Sequence, residues 1–251
     1  MTIEEARLRV EQWLASDRTL PLNISKLNLP ELPDNFPEDF NGRLYCYGNQ
    51  LTTLCLPMAT CVICYDNKLT TLSLPMATVV GCSNNKLTTL SLPMATDVGC
   101  CYNQLTTLSL PIAMLVWCYD NKLTTLSLPV ATDVHCYDNK LTTLSAPMAT
   151  EVNCSNNMLT TLYLPMATKV NCSNNQLIEL YVPRAGIMHL VDNPIEFRLV
   201  CMYPLTKGLV RSKVIFVYSI CCRLKNLVKQ RRTYNLVKSE CIAKQFMVLI
   251  K

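Results

Sequence analysis

Glycine, histidine, tryptophan and charge are scarce in this 251-residue chain: six glycines, two histidines, two tryptophans and 16% charged residues. The glycines are scattered, so no glycine-rich loop is present to cradle a phosphate. His135 and His189 share no carboxylate motif, which removes the usual histidine-based acid–base or metal chemistry. Long apolar runs are missing too. The longest, Val214–Cys222, has nine residues with a serine inside it, whereas a membrane helix needs roughly 20. Met1–Gln12 lacks the apolar segment of an export signal. The expected setting is therefore intracellular and reducing, with no transmembrane segment. What is abundant is apolar material: half of the residues are hydrophobic and mean hydropathy is +0.19, enough for a continuous core rather than a disordered chain.

That material is periodic. Cys46, Cys64, Cys82, Cys100, Cys118, Cys136, Cys154 and Cys172 follow one another at intervals of 18 residues. Three residues after each stands an asparagine: Asn49, Asn67, Asn85, Asn103, Asn121, Asn139, Asn157 and Asn175. The unit is Val-x-Cys-x-x-Asn-x-Leu-Thr-Thr-Leu-Ser-Leu-Pro-Met-Ala-Thr-x. A fixed period of this kind predicts a solenoid, in which each turn buries its apolar face only by stacking on its neighbours. Within one turn, Val62 and Cys64 alternate inward on a short strand while Ile63 and Tyr65 face out. Asn67 turns the chain and bonds its backbone, stacking as a ladder. Leu69, Leu72 and Leu74 fill the core behind, Thr70, Thr71 and Ser73 face solvent, and Pro75 is expected on an extended return leg.

Both ends depart from the repeat. Residues 2–15 have Ile3, Ala6, Val10, Trp13 and Leu14 at helical spacing, with Thr2 and Glu5 placed as a capping box. A helix over 1–20 would cover the open N-terminal end of the stack. At the other end Leu190 takes the cysteine position and Asn193-Pro194-Ile195 completes a degenerate turn. With a first turn at Ile24 this makes about ten turns over residues 21–198, or a rod of roughly 48 Å at about 4.8 Å per strand. From Thr206 onward, eleven residues are basic and one, Glu240, is acidic. Residues 199–251 are expected to form a basic cap; the alternative is a basic amphipathic segment over 223–238 that contacts nucleic acid or an anionic membrane surface.

The stretch Leu22-Asn23-Ile24-Ser25-Lys26-Leu27-Asn28-Leu29-Pro30-Glu31-Leu32-Pro33 and the skeleton Leu44-x-Cys46-x-x-Asn49-x-Leu51-x-x-Leu54 resemble leucine-rich repeat proteins with short repeats. They are similar to the LPX-type repeats of bacterial effectors and to repeat proteins of large viruses and phages. The resemblance spans residues 1 to about 198. It implies a parallel strand per turn, an N-terminal capping helix and a protein partner bound on the strand face, in a host-interacting viral or bacterial setting. The period of 18 is shorter than the 20–29 of the family. Alanine (Ala59, Ala77, Ala95) and cysteine stand where leucine or isoleucine is usual, so a plain β-solenoid remains the alternative fold.

A column of cysteines about 4.8 Å apart is within disulfide reach, but an inward-facing cysteine behaves as a small hydrophobe, and free thiols are expected. Cys61-x-x-Cys64 has no second pair and Cys64 belongs to the core column, so no metal or cofactor is expected. The segment after the repeats is too short for the ubiquitin-ligase domain that some effectors of this type carry, and the chain is expected to be a non-enzyme. The exposed strand positions vary between otherwise copied turns. One column runs Ile63, Gly81, Gly99, Trp117, His135, Asn153, Asn171, and the next Tyr47, Tyr65, Ser83, Cys101, Tyr119, Tyr137, Ser155, Ser173. Trp117, Tyr119, His135 and Tyr137 therefore cluster on two adjacent turns, flanked by Asp120, Asp133 and Asp138, as a partner-binding patch would. Two other readings stay open: a structural or decoy repeat protein without a single partner, and an ice-binding solenoid that uses the Thr-x-Ser columns.

Overall fold

A computed structural model of the chain describes residues 3–194 and the backbone of 198–199. The expected cap, apart from Leu199, lies outside the described residues, as does Thr2 of the capping box. Glu5 instead accepts a hydrogen bond from Arg9 Nε at 2.8 Å, one helical turn on.

The repeat forms a solenoid whose front is a ten-stranded parallel sheet. Its strands run from Leu22–Asn23 and Arg43–Tyr45 through Cys61–Ile63, Val79–Gly81, Asp97–Gly99, Leu115–Trp117, Asp133–His135 and Glu151–Asn153 to Lys169–Asn171 and Ile187–His189. From Arg43 onward each strand pairs with the one 18 residues ahead, Val62 against Val80 and Val116 against Val134. Parallel pairing at that offset keeps every column in one orientation, so a residue that is inward in one turn is inward in all. Val62, Val80, Val98, Val116, Val134 and Val152 are all buried, and so is every cysteine of the column. Behind the strand, Leu87, Leu90, Leu92 and Ala95 complete one turn's share of core.

From Arg43 onward the turns also carry a second short strand, which the sequence pattern did not single out. Thr53–Cys55 pairs with Thr71–Ser73, Thr89–Ser91 with Thr107–Ser109, and Thr125–Ser127 with Thr143–Ser145. Thr161–Tyr163, Glu179–Tyr181 and Arg198–Leu199 form a three-stranded piece. The back is therefore four separate small sheets, so its Thr-x-Ser columns do not form one continuous hydrogen-bonded face. The proline also differs from expectation. Ala77 N donates to Leu74 O at 3.3 Å, which closes a turn with Pro75 at its second position rather than an extended leg. The fixed φ of proline suits that position.

The asparagine column holds the turns to one another. Asn103 Oδ1 accepts from Leu87 N at 3.0 Å, in the turn before. Its Nδ2 donates to Cys82 O of that turn at 3.0 Å and to Cys100 O of its own at 3.2 Å. Asn67, Asn85, Asn121, Asn139, Asn157 and Asn175 repeat the arrangement. Asn49 and Asn193 extend it into the irregular end turns, where Ile24 and Leu190 stand in for cysteine. The expected ladder is thus made of amide-to-backbone bonds between turns, not of amides bonded to one another. The residue before each asparagine has a left-handed backbone: Gly48, Asp66, Asn84, Tyr102, Asp120, Asp138, Asn156, Asn174 and Asp192, with φ between 52° and 67°. Glycine, asparagine and aspartate tolerate that region, and a tyrosine does so only with strain.

At the N-terminal end α1, Ile3–Leu14, buries Ala6, Val10 and Trp13 against the first turn, with Ile3 and Leu14 half-buried. Trp13 donates Nε1–H to Leu20 O at 2.9 Å and packs on Phe40 at 5.1 Å, which in turn meets Phe36 at 5.1 Å. Gly42 fits closely there: a Cβ would lie 3.0 Å from Trp13 Cζ2 and 3.2 Å from Phe40 Cζ, so the rings would have to shift to admit one. Arg7 clamps the following loop through two bonds to Asp34, at 2.7 and 2.9 Å.

Two substitutions test this account. Asn103→Asp keeps the acceptor but removes both N–H donors, leaving Cys82 O and Cys100 O facing a carboxylate. Urea unfolding should show a loss of at least about 2 kcal/mol, since each orphaned buried group costs about 1–3 kcal/mol. Tyr102→Asn should instead gain about 0.5–1 kcal/mol by relieving the left-handed strain.

Candidate functional site

The front sheet turns three residues per turn toward its outer face: the two outer residues of each strand and the residue after the cysteine, although Cys101 and Ser155, expected to be exposed, are buried. The first of these columns is Arg43, Cys61, Val79, Asp97, Leu115, Asp133, Glu151 and Lys169; the sequence pattern singles out only Cys61 and Asp133 of it, because the strand begins one residue earlier than the repeat suggests. Alignment on Val62 and its equivalents would have exposed it.

Trp117, Tyr119, His135 and Tyr137 lie on two adjacent turns of the front sheet. Trp117 and His135 are direct strand partners. The rings of Tyr119 and Tyr137 stack at 4.4 Å with 7° between their planes. Tyr102, also missed at first, meets Tyr119 edge-on at 5.3 Å and 85°. A tyrosine in a column otherwise made of glycine, asparagine and aspartate is the signal that marks it. Burial, and then the neighbouring Cys101, pushes the Tyr119 hydroxyl well above its usual range. It is therefore a neutral hydroxyl at any physiological pH. His135 Nε2 lies 3.0 Å from Asp133 Oδ1, but that oxygen is buried without hydrogen-bond geometry to any group. Asp120 is held above the ordinary carboxylate range by burial and by Asp138 one turn on. Asp138 accepts from Asn156 Nδ2 at 2.7 Å.

Among the described cysteines, Cys101 is buried beside the column and Cys61 is half-buried. Cys46, Cys64, Cys82, Cys100, Cys118, Cys136, Cys154 and Cys172 are buried free thiols, whereas Cys55 is exposed. Burial raises the pKa of the whole column, to about 12 at Cys46 and Cys154. Cys61 lies on the outward side of its strand and Cys64 inside, so the pair does not converge. Among the described residues no three His, Cys, Asp or Glu side chains come together as a metal site requires. None of the described helices is long and apolar enough to cross a membrane.

With this geometry in hand, comparison with known proteins gives a fold. No model of a known family matches the chain, and no curated protein matches its sequence. Among solved structures it is similar to YopM from Yersinia enterocolitica WA-314, at 25% identity and a TM-score of 0.61, over 80% of this chain and 52% of that one. The chain thus spans about half of YopM. It is also similar to the leucine-rich repeat domain of APL1B, at 19% identity and a TM-score of 0.58, over 77% of this chain and 73% of that one. A looser likeness, with 20% identity and a TM-score of 0.45, is to YopM of Yersinia pestis, described as a leucine-rich effector protein; it covers 83% of this chain and 91% of that one. At that score it carries no argument. The fold is a leucine-rich repeat solenoid of short repeats with an N-terminal helix, and neighbours of this kind suggest a protein-interaction repeat module.

The thiol column makes stability depend on pH in a defined direction. Below about pH 8.5 the thiols are protonated in both the folded and the unfolded chain, and their contribution is fully present. As pH rises from there, the unfolded chain releases protons that the core retains, so stability falls until the folded pKa values are reached. Each thiol contributes about 1.4 kcal/mol per pH unit to that slope. Urea titrations at rising pH should show a shallower fall for Cys118→Ala than for wild type, by one thiol's share.

Proposed function

We propose that the chain binds a partner protein through the front sheet, with Trp117, Tyr119, His135 and Tyr137 as the anchoring surface and Asp120 and Asp138 at its rim. One observation carries this reading: Trp117 is 47% exposed in the middle of a sheet, between Gly99 on the turn before and His135 on the turn after. A large ring on a rigid sheet offers contact area at little cost in conformational entropy, and such residues dominate interface energetics. The stacked tyrosines beside it extend a flat apolar surface with polar hydroxyl tips. Binding rather than catalysis is the role we assign to this surface. A host-directed partner is the finer form of the proposal, and its support is the likeness to YopM and the short repeats.

The test is affinity capture with three proteins: wild type, Trp117→Ala/Tyr119→Ala, and a back-face control, Thr107→Ala/Ser109→Ala. A specific partner should be kept by wild type and control and weakened by about 2 kcal/mol, roughly thirtyfold, in the front-face variant. Equal capture by all three would refute the assignment.

A further inference from the structure

The turn from Pro111 to Tyr119 departs from its neighbours toward exposed apolar side chains. Ile112, Met114, Leu115 and Trp117 are 41%, 49%, 37% and 47% exposed. The first position is apolar in most turns, but the second is not. Between the end turns, where Gly42 and Gly186 stand, Thr60, Thr78, Thr96, Thr132, Thr150 and Thr168 occupy it, and each donates its Oγ1 hydroxyl to a carbonyl of the turn before, at 3.1–3.3 Å. Met114 forgoes that bond. The carbonyl it would use, Thr96 O, is already in place and accepts Met114 N at 2.7 Å. The methionine gains no burial in exchange, so nothing in the fold accounts for it. A residue that breaks a local rule without structural return is the mark of a functional position.

The surroundings fix the chemistry of what would cover it. Leu115 stands in register between Asp97 on one side and Asp133 on the other. Trp117 stands beside Gly99, whose absent side chain leaves bare backbone next to the ring; a Cβ there would lie 3.9 Å from Trp117 Cε3. At the far edge come the stacked tyrosines, then Asp120 and Asp138. Asp97 and Asp133 thus flank the band on the two neighbouring turns, and Asp120 and Asp138 border it beyond the tyrosines. The nearby lysines, Lys122 and Lys140, follow the buried Asn121 and Asn139, past the bend that leaves the front sheet. Lys169 is already paired with Glu151 at 2.8 Å.

We propose that this band, from Met114 and Leu115 to Tyr119, is the docking site for a protein segment with an aliphatic or aromatic anchor flanked by lysine or arginine. It rests on the interaction reading above and adds the partner's chemistry. Apolar anchors desolvate against the band while cations meet the carboxylate rims, which steer and orient the segment.

The full-length protein is panned against a displayed library of random peptides, and selected peptides are measured on wild type, Met114→Thr/Leu115→Thr, Asp97→Asn/Asp133→Asn and Trp117→Ala. Selected sequences should combine an apolar anchor with lysine or arginine. Binding should fall roughly tenfold in the Met114/Leu115 variant and severalfold in the aspartate variant, and should weaken as salt rises. Met114→Thr should leave the thermal midpoint equal to wild type or higher, because it restores the threonine ladder. Selected peptides without basic residues, or with affinity unchanged by the Met114/Leu115 and aspartate variants, overturn the inference. If Trp117→Ala alone abolishes binding, the interaction reading survives and the inference falls. If no peptide is selected, or none depends on Trp117, both fall.

Discussion

One buried carboxamide per turn holds this solenoid together. The strand hydrogen bonds join neighbouring turns at the front, but the bend after each strand leaves carbonyls pointing inward with no ladder partner. An asparagine side chain supplies an acceptor and two donors within one planar group. At Asn67 these reach Leu51 N and Cys46 O in the previous turn and Cys64 O in its own. Aspartate lacks the donors, and serine or threonine has one O–H. In a dry interior such a network is worth most when every member is satisfied, and here the same bonds recur from Asn67 to Asn193, while Asn49 accepts from both Leu27 N and Leu29 N. The left-handed residue before each asparagine follows from it, because that backbone conformation swings the amide inward. The threonine hydroxyls donating from turn to turn at the opposite corner, such as Thr78 to Thr60 O at 3.1 Å, give the exposed side a weaker version of the same tie.

The core is thin because the repeat is short. With 18 residues per turn, two opposed strands must lie close, and the residues between them are the small ones. Ala59, Ala77, Ala95, Ala113, Ala131, Ala149 and Ala167 are fully buried. Cysteine at the strand end is the next size up and brings no unsatisfied polar group. The same burial makes the thiols poor nucleophiles, because a thiolate there would be a buried charge without a partner. Eight cysteines in a row are thus a packing solution, and the one exposed back-face thiol, Cys55, stands outside it.

How far the sequence disclosed this depends on which features repeat with a recognisable residue. The period, the inward Val–Cys pair, the bridging asparagine and the apolar face of α1 were all legible, because burial restricts those positions to a few residue types. The left-handed column was equally periodic but went unseen: its members, from Asp66 and Asn84 to Asp192, are polar and look like any loop. Pro75 was misassigned because proline suits an extended leg and the second position of a turn alike, and only the Leu74–Ala77 bond separates them. The second strands were missed because Thr-Leu-Ser on three residues is too short for alternation to distinguish from coil. The packing of Phe36, Phe40 and Gly42 on Trp13 is a long-range contact with no pattern at all. At the site, Trp117, Tyr119, His135 and Tyr137 came from column alignment, while Leu115 and Asp97 were lost through a one-residue error in where the strand begins.

Stacking in one dimension explains why such a site can be carried at all. Each turn touches only its two neighbours, so the energetic cost of an unfavourable residue stays local instead of propagating through a shared three-dimensional core. Met114 gives up one hydroxyl bond, yet Thr132 in the next turn still donates to Met114 O at 3.3 Å and the column resumes. Tyr102 strains one bend, yet Asn103 beside it keeps its full set of bonds to both turns. Both departures fall on adjacent turns in the middle of the array, where intact copies on either side hold the register. A compact domain would have to repack around such residues. A solenoid isolates them, so its variable outer columns are free to specialise while the amides and thiols inside stay the same.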